Sequence, residues 1–306
     1  MIYVIGHKNP DTDSICSAIG YAAFKKALTG QDYKAARAGD LNPETEFVLK
    51  HVGLETPELL PSAAGKDVIL VDHNEVAQAT DDIADAHILE ILDHHKIGDV
   101  QTNEPIYFRA MPVGCTATIV YLHFKENNIE FDKATAGALC SAILSDTLAF
   151  RSPTCTDLDV EAANAYAEAA GIEDIQAYAK EMFKAGSELA GKSPKEILYM
   201  DFKKFTAGNT TYGVGQVTSM DEDELSELAK TMNDYIHESF SEHGCDMLFF
   251  LLTNILDESS EMVFAGEGAD EVVKKAFTSS EEGRTYLKGV VSRKKQVVPP
   301  ITEALS

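Results

Sequence analysis

The sequence is short of positive charge. Among 306 residues, lysine and arginine together number 26 and aspartate and glutamate 50, a formal net charge of −24. Generic nucleic-acid binding through broad basic patches needs the opposite sign and is excluded. An anion can still be held, but only by a local basic cluster or a metal. Long apolar runs are also missing. The longest, Met247 to Leu252, falls far below the roughly 18 residues that a membrane-spanning helix needs. The amino terminus shows neither the basic segment nor the apolar segment of a secretory signal. Five cysteines (Cys16, Cys115, Cys140, Cys155 and Cys245) are scattered and odd in number, and none forms a C-x-x-C pair. That indicates neither a disulfide framework nor a zinc finger. No membrane association and a reducing cytoplasm are the expectations.

What is present suits a globular chain. Hydrophobic residues make up 44% and charged residues 25%, which excludes a mainly disordered protein. At about 100–200 residues per domain the length suggests two domains. Ile2 to Ile5 reads as a buried strand, followed by a helix that Asp13 or Ser14 can cap and that Gly30 can end. Lys34 to Ala38, Val68 to Val71 and Ile88 to Leu92 read as further strands and Pro43 to Val52 as a helix. Helical patterns follow at 114–127, 133–148, 156–170 and 172–186. Such alternation predicts a mostly parallel α/β sheet. Gly186 to Pro194 reads as a linker. Beyond it, Asp201 to Thr206 and Thr211 to Val217 form a predicted hairpin. A helix at 221–240, strands at 247–252 and 262–265 and a short helix at 270–277 complete a smaller α+β domain.

Four segments carry candidate chemistry: GHKNPDTDS (6–14), VDHNE (71–75), DHHK (93–96) and SDT (145–147). The first three lie just past the carboxyl ends of predicted strands, where an open parallel sheet places its ligand crevice. His7, Asp11, Asp13, Asp72, His94 and His95 would then share one cleft. Any one of these segments alone reads as a solvated loop or a helix cap. Their joint placement at strand ends argues for a metal site. Imidazole and carboxylate without thiolate suit Mn²⁺, Co²⁺, Fe²⁺ or Zn²⁺. Asp11, Asp13, Asp72 and Asp146 in one cleft would repel one another, and two divalent cations would offset them. A pair of metals can polarise phosphoryl oxygens and generate a hydroxide nucleophile. His73 and Asp93 read as partners that orient a ligand.

A basic run, Ser292-Arg293-Lys294-Lys295, lies near the carboxyl terminus. Arginine can grip phosphate bidentately and lysine adds a point charge. Lys203 and Lys204 are further candidates, and on a strand they face opposite ways. Cys115 reads as a small buried residue. The segment 111–118 opens a helix, either offering amides to an anion or forming a capped turn.

Together with SRKKQVVPP (292–300), these motifs resemble the family II inorganic pyrophosphatases, manganese-dependent members of the DHH phosphoesterase superfamily. The resemblance spans essentially the whole chain. It implies an α/β protein with a mostly parallel open-sheet catalytic domain (1–186) and a linker or hinge (187–194). A smaller α+β substrate-binding, DHHA2-like domain (195–306) would follow, with the active site in the cleft between the two. It implies two Mn²⁺ per subunit, with Co²⁺ as a substitute, and Mg²⁺ arriving with substrate. His7, Asp11 and Asp72 would hold the first metal. Asp13, Asp72, His94 and Asp146 would hold the second, with Asp72 bridging. His95 would contact phosphate or supply a proton to the leaving group. Lys203, Arg293 and Lys294 would grip pyrophosphate. The implied reaction is hydrolysis of pyrophosphate to two orthophosphates by a metal-bridging hydroxide, in a cytoplasmic homodimer that binds neither nucleic acid nor membrane. The alternatives are an exopolyphosphatase, or a DHH-type phosphoesterase acting on short oligonucleotides or cyclic dinucleotides. The latter enzymes typically carry a G-G-G-H segment, and the nearest stretch here, Gly266-Glu267-Gly268-Ala269, has no histidine.

Overall fold

The computed structural model describes residues 1–187, 189, 191–255, 257–277 and 283–305. The chain divides into two compact units, Met1–Gly186 and Ser187–Ser306. In the first, strands β1 (Ile2–Ile5), β2 (Tyr33–Arg37), β3 (Glu58–Leu59), β4 (Asp67–Val71), β5 (His87–Asp93) and β6 (Tyr107–Ala110) form one sheet. Its order is β3-β2-β1-β4-β5-β6, and every pairing is parallel. Helices α1 (Thr12–Thr29), α2 (Pro43–Val52), α3 (Thr116–Glu126), α4 (Lys133–Asp146), α5 (Asp157–Ala170) and α6 (Ile175–Ala185) accompany it.

Period-two alternation divides the strand side chains between two cores. On β4, Ile69 and Val71 join a core with Phe24, Leu139 and Tyr166. Val68 and Leu70 face the other way, packing with Ile5, Ile83 and Ile91. Both faces of the sheet are therefore buried, as an all-parallel sheet requires. Gly20 lets α1 approach α4 closely: a Cβ there would lie 2.6 Å from a Leu139 methyl.

The cap of α1 differs from the expectation. Asp11, not Asp13 or Ser14, accepts the Ser14 amide at 2.9 Å. Asp13 is instead turned inward and fully buried, because its carboxylate has other donors to meet. The cap of α2 follows the usual logic, with Asn42 accepting the Thr45 amide, Pro43 in the first turn and Gly53 at φ 74° behind it.

In the second unit, α7 (Pro194–Met200) leads into β7 (Phe202–Ala207) and β8 (Thr210–Ser219), the expected hairpin. Then come α8 (Glu222–Ser239), β9 (Met247–Asn254), β10 (Ser259–Gly266), α9 (Ala269–Phe277), β11 (Arg284–Lys288) and α10 (Val298–Leu305). The sheet order is β11-β10-β9-β8-β7, with β8 and β9 parallel and the other pairs antiparallel. Central β9 is buried throughout. Leu248, Phe250 and Leu252 serve one core, and Met247, Phe249 and Leu251 the other. Within the stretch read as a linker, residues 188 and 190 lie outside the described residues. Its last residues start α7, where Ser193 and Glu196 form a capping box. The SRKK run occupies a π-helical turn, Arg293–Val297, that runs directly into α10.

Candidate metal centre

Strands β1, β4 and β5 are neighbours and parallel, so their carboxyl ends lie along one edge. The loop after β1 brings His7 and Asp11, the turn after β4 brings Asp72, and the end of β5 delivers His94 and His95. Gly6 is what lets the first loop fold tightly. Ser14 Oγ accepts the His7 amide at 3.0 Å, and a Cβ at residue 6 would fall 1.8 Å from that oxygen. Asp72 is left-handed at φ 62°, a conformation that is unusual without glycine and that Asp tolerates better than most residues.

Asp72 is the centre of the cluster. Its Oδ2 lies 3.3 Å from His7 Nε2, and its Oδ1 lies 3.3 Å from His94 Nε2. His7 Nε2 is also 3.4 Å from Asp11. His94 Nε2 is 3.6 Å from Asp146 and 4.0 Å from Asp13. Two groups result, His7–Asp11–Asp72 and Asp13–Asp72–His94–Asp146, each with its donor atoms within 4.8 Å of one another. The same two groupings are the ones the family resemblance implies as metal-ligand sets. A third grouping, Asp72–His94–His95, also meets that spacing.

The surrounding contacts fix these side chains. Asp13 accepts the Thr116 and Ala117 amides at 2.7 and 3.1 Å and the Ser17 hydroxyl at 2.5 Å. The amino end of α3 thus does cradle an anion, and the anion is this chain's own aspartate. His94 is held from behind by a contact between Nδ1 and the Val113 carbonyl at 3.1 Å. Asp93 accepts the His95 amide at 3.0 Å and lies 2.9 Å from His95 Nδ1, and its other oxygen takes Asn74 Nδ2. It therefore orients His95, the residue read as a phosphate contact, rather than a metal ligand. His73 turns Nδ1 to the Val71 carbonyl at 2.9 Å, while its buried Nε2 has no hydrogen-bond partner among the described residues. Cys115 is buried and free, and burial raises its thiol pKa well above the usual range.

Glu44, in the first turn of α2, was missed by the sequence reading. One of its oxygens accepts both the Thr12 and the Ser145 hydroxyls at 2.6 Å. Those residues adjoin Asp11, Asp13 and Asp146, so one carboxylate ties two ligand-bearing segments together. An acidic residue early in a helix also complements the helix dipole, so nothing in the sequence marks it out.

Electrostatics shows what the cluster wants. Burial and then the Asp72 charge push Asp13 up to about 7. Burial, followed by Asp13 and Asp72, raises Asp146 well above the usual carboxylate range. Burial opposes charge on both histidines, but the neighbouring carboxylates overcome it, lifting His7 to about 10 and His94 to about 9. With no metal bound, protons supply the missing positive charge. Divalent cations fit the same donors, and the nitrogen and oxygen set without thiolate suits manganese-type ions.

Lys203, Arg293 and Lys294 lie in the second unit. Lys203 and Lys204 are exposed on β7, and Lys294 is exposed on the π-helical turn. Arg293 is buried. Lys203 pairs in register with Val214, whose side chain belongs to the same core as Val297 and Ile301. Directly opposed residues share a sheet face, so Lys203 points to the face that carries the SRKK turn. The Lys204 amine lies by Gly244, on the other face.

Comparison with known proteins agrees with this layout. Residues 1–143 match the DHH family, N-terminal domain, and residues 180–304 match the DHHA2 domain. A protein of Bacillus licheniformis named "Probable manganese-dependent inorganic pyrophosphatase" is 44% identical, covering 99% of this chain and 98% of its own. Proteins of the same name from Clostridium acetobutylicum and Oceanobacillus iheyensis are 45% and 46% identical. They cover 100% and 98% of this chain and 98% and 97% of their own lengths. A solved structure described as "Methanococcus jannaschii putative family II inorganic pyrophosphatase" is 44% identical, with a TM-score of 0.62. That match covers 100% of this chain and 99% of the solved one. With relatives of this identity over its full length, the chain belongs to the family II, manganese-dependent inorganic pyrophosphatases of the DHH phosphoesterase superfamily.

Proposed function

We propose that this chain hydrolyses inorganic pyrophosphate to two orthophosphates at the Asp/His cluster. The observation that carries the reading is the sharing of Asp72. One carboxylate faces His7 with one oxygen and His94 with the other, the arrangement needed to serve two adjacent cations. His7, Asp11 and Asp72 would hold one Mn²⁺, and Asp13, Asp72, His94 and Asp146 the other. Co²⁺ is the substitute expected for such donors. When bound, two such ions supply Lewis acidity toward phosphoryl oxygens and lower the pKa of water toward about 7.

The chain's own groups do the rest. His95 keeps Nδ1 on Asp93, which leaves Nε2 as the atom that would give a proton to the leaving phosphate. Lys203, Arg293 and Lys294 would grip the phosphate oxygens, with Mg²⁺ entering on the substrate. Residues 187–194 would serve as the hinge between a catalytic segment (1–186) and a substrate-binding segment (195–306). A cytoplasmic homodimer is the assembly we propose. No described helix is long and apolar enough to cross a membrane.

The test is phosphate release from pyrophosphate, tripolyphosphate and a dinucleotide, with Mn²⁺ and Mg²⁺ present. Rapid release from pyrophosphate is expected. Release from tripolyphosphate or the dinucleotide alone would overturn the reading in favour of a polyphosphatase or an oligonucleotide phosphoesterase.

A further inference from the structure

Arg293 is buried in the second unit, and its side chain is committed on one edge. Nη1 donates to the backbone carbonyl of Asp201 and, at 3.5 Å, to that of Val214. Nη2 lies 2.8 Å from the Asp201 carboxylate. A guanidinium has five N–H groups. The Nη1 contacts are hydrogen bonds, while Nη2 and the Asp201 carboxylate form an ion pair. The N–H groups along the Nε–Nη2 edge donate no hydrogen bond to any described residue. That edge is a fork of the right shape for two oxygens of one phosphate.

The backbone around the arginine is pinned as well. The Arg293 amide donates to Gln216 Oε1 at 3.3 Å, while Gln216 Nε2 donates to Thr253 Oγ1 and to the Val291 carbonyl. Gln296 Oε1 accepts the Val291 and Ser292 amides. The Asp201 carbonyl also accepts the Gln216 amide at 3.2 Å. The turn is thus fixed by amide side chains, and the guanidinium itself is fixed by Asp201.

We propose that Asp201 is a positioning residue. It holds the far edge of Arg293 so that the Nε–Nη2 edge is presented to a phosphate group, two residues before Lys203 on the adjoining strand. The inference rests on the reading of Arg293 as a substrate contact. Asp201 itself touches no substrate in this arrangement and acts only through the arginine.

A double-mutant cycle separates this role from ordinary support of the fold. Asp201→Asn keeps the shape and the backbone carbonyl but removes the charge. It is expected to lower kcat/KM for pyrophosphate by about tenfold, the scale of one charge-assisted hydrogen bond, with metal content unchanged. Asp201→Glu should recover part of the loss. In an Arg293→Lys background, Asp201→Asn should change kcat/KM by less than about twofold, since the fork it orients is gone. A tenfold loss persisting in that background would overturn the proposal, because Asp201 would then act independently of Arg293. Wild-type kcat/KM in Asp201→Asn would overturn it as well. If Arg293→Lys alone leaves kcat/KM unchanged, the substrate role of Arg293 falls, and this inference falls with it.

Discussion

Asp72→Asn is the substitution that most sharply probes the metal centre. Asparagine matches the size of aspartate and accepts the left-handed backbone at φ 62°, so the fold around it should hold. The change reaches both donor groups, because Asp72 belongs to His7–Asp11–Asp72 and to Asp13–Asp72–His94–Asp146. Altering an outer-shell partner of a metal ligand costs about 10–100-fold in affinity, so losing the ligand's own charge costs at least the upper end. A hundredfold weaker site loses about 2.7 kcal/mol of metal-linked stability, and two sites about 5.5 kcal/mol. Asp11→Asn and Asp146→Asn each touch one group and should lose about 2.7 kcal/mol. The assay is denaturant unfolding in excess Mn²⁺ and again in chelator. The difference between the two conditions isolates the metal-linked part and cancels effects on the metal-free protein. Plasma mass spectrometry after desalting gives metal per chain. A loss in Asp72→Asn no larger than in Asp146→Asn would refute the shared-ligand assignment.

Two further outcomes follow from the same structure. Asp93→Asn removes the negative charge beside His95 Nδ1 and sets an NH2 donor against either His95 or Asn74 Nδ2, so kcat should fall by about 10–100-fold with metal content unchanged. Metal loss equal to that of His94→Gln would contradict this. His123 lies against Tyr21, Phe24 and Tyr107, and Arg109, Glu126, Glu90 and Lys25 are the charges around it. Burial, then the Arg109 cation, lowers its pKa to about 4. The unfolded chain, with histidine near 6.5, therefore takes up the proton first as the solution is acidified. Stability should fall as pH drops from about 6.5 to about 4, by up to roughly 3 kcal/mol from this group. In chelator, His123→Gln should show a shallower decline over that window, and an identical decline in both proteins would rule the effect out.

Most of the candidate ligands were legible in the sequence because they sit at positions that strand patterning locates, Asp146 at the end of α4 excepted. Ile2–Ile5, Val68–Val71 and Ile88–Leu92 are apolar enough to be read as buried strands, and the parallel-sheet rule then gathers their carboxyl ends. The order of polar residues around a helix start is less informative. Asp11, Thr12, Asp13 and Ser14 are all fair caps, and only the amides of Thr116 and Ala117, about a hundred residues away in sequence, decide that Asp13 faces inward. Glu44 and Asp201 were invisible for a related reason: each acts through hydrogen bonds to distant segments. Strands β3, β6 and β11 escaped because they are short or lie at sheet edges. β6 is largely exposed, and the side chains of β11 alternate over only five residues. α10 begins at Val298-Pro299-Pro300, which reads as a helix breaker until the prolines are seen to occupy the first turn, where their missing N–H groups cost nothing.

The distribution of charge explains how a chain of net charge −24 can act on an anion. Among the cluster carboxylates, Asp13 is compensated by two amides and a hydroxyl. Asp146 stands at the carboxyl end of α4, where the helix dipole opposes a negative charge, and Asp72 depends on the two histidines. The first unit therefore holds more negative charge than its own donors offset, and a bare phosphate would be repelled there. Cations have to enter first. The basic residues proposed to grip phosphate, Lys203, Arg293 and Lys294, all lie beyond residue 186. Arg293, which is buried, meets a carboxylate from its own unit, and its Nε–Nη2 edge is the one proposed for phosphate.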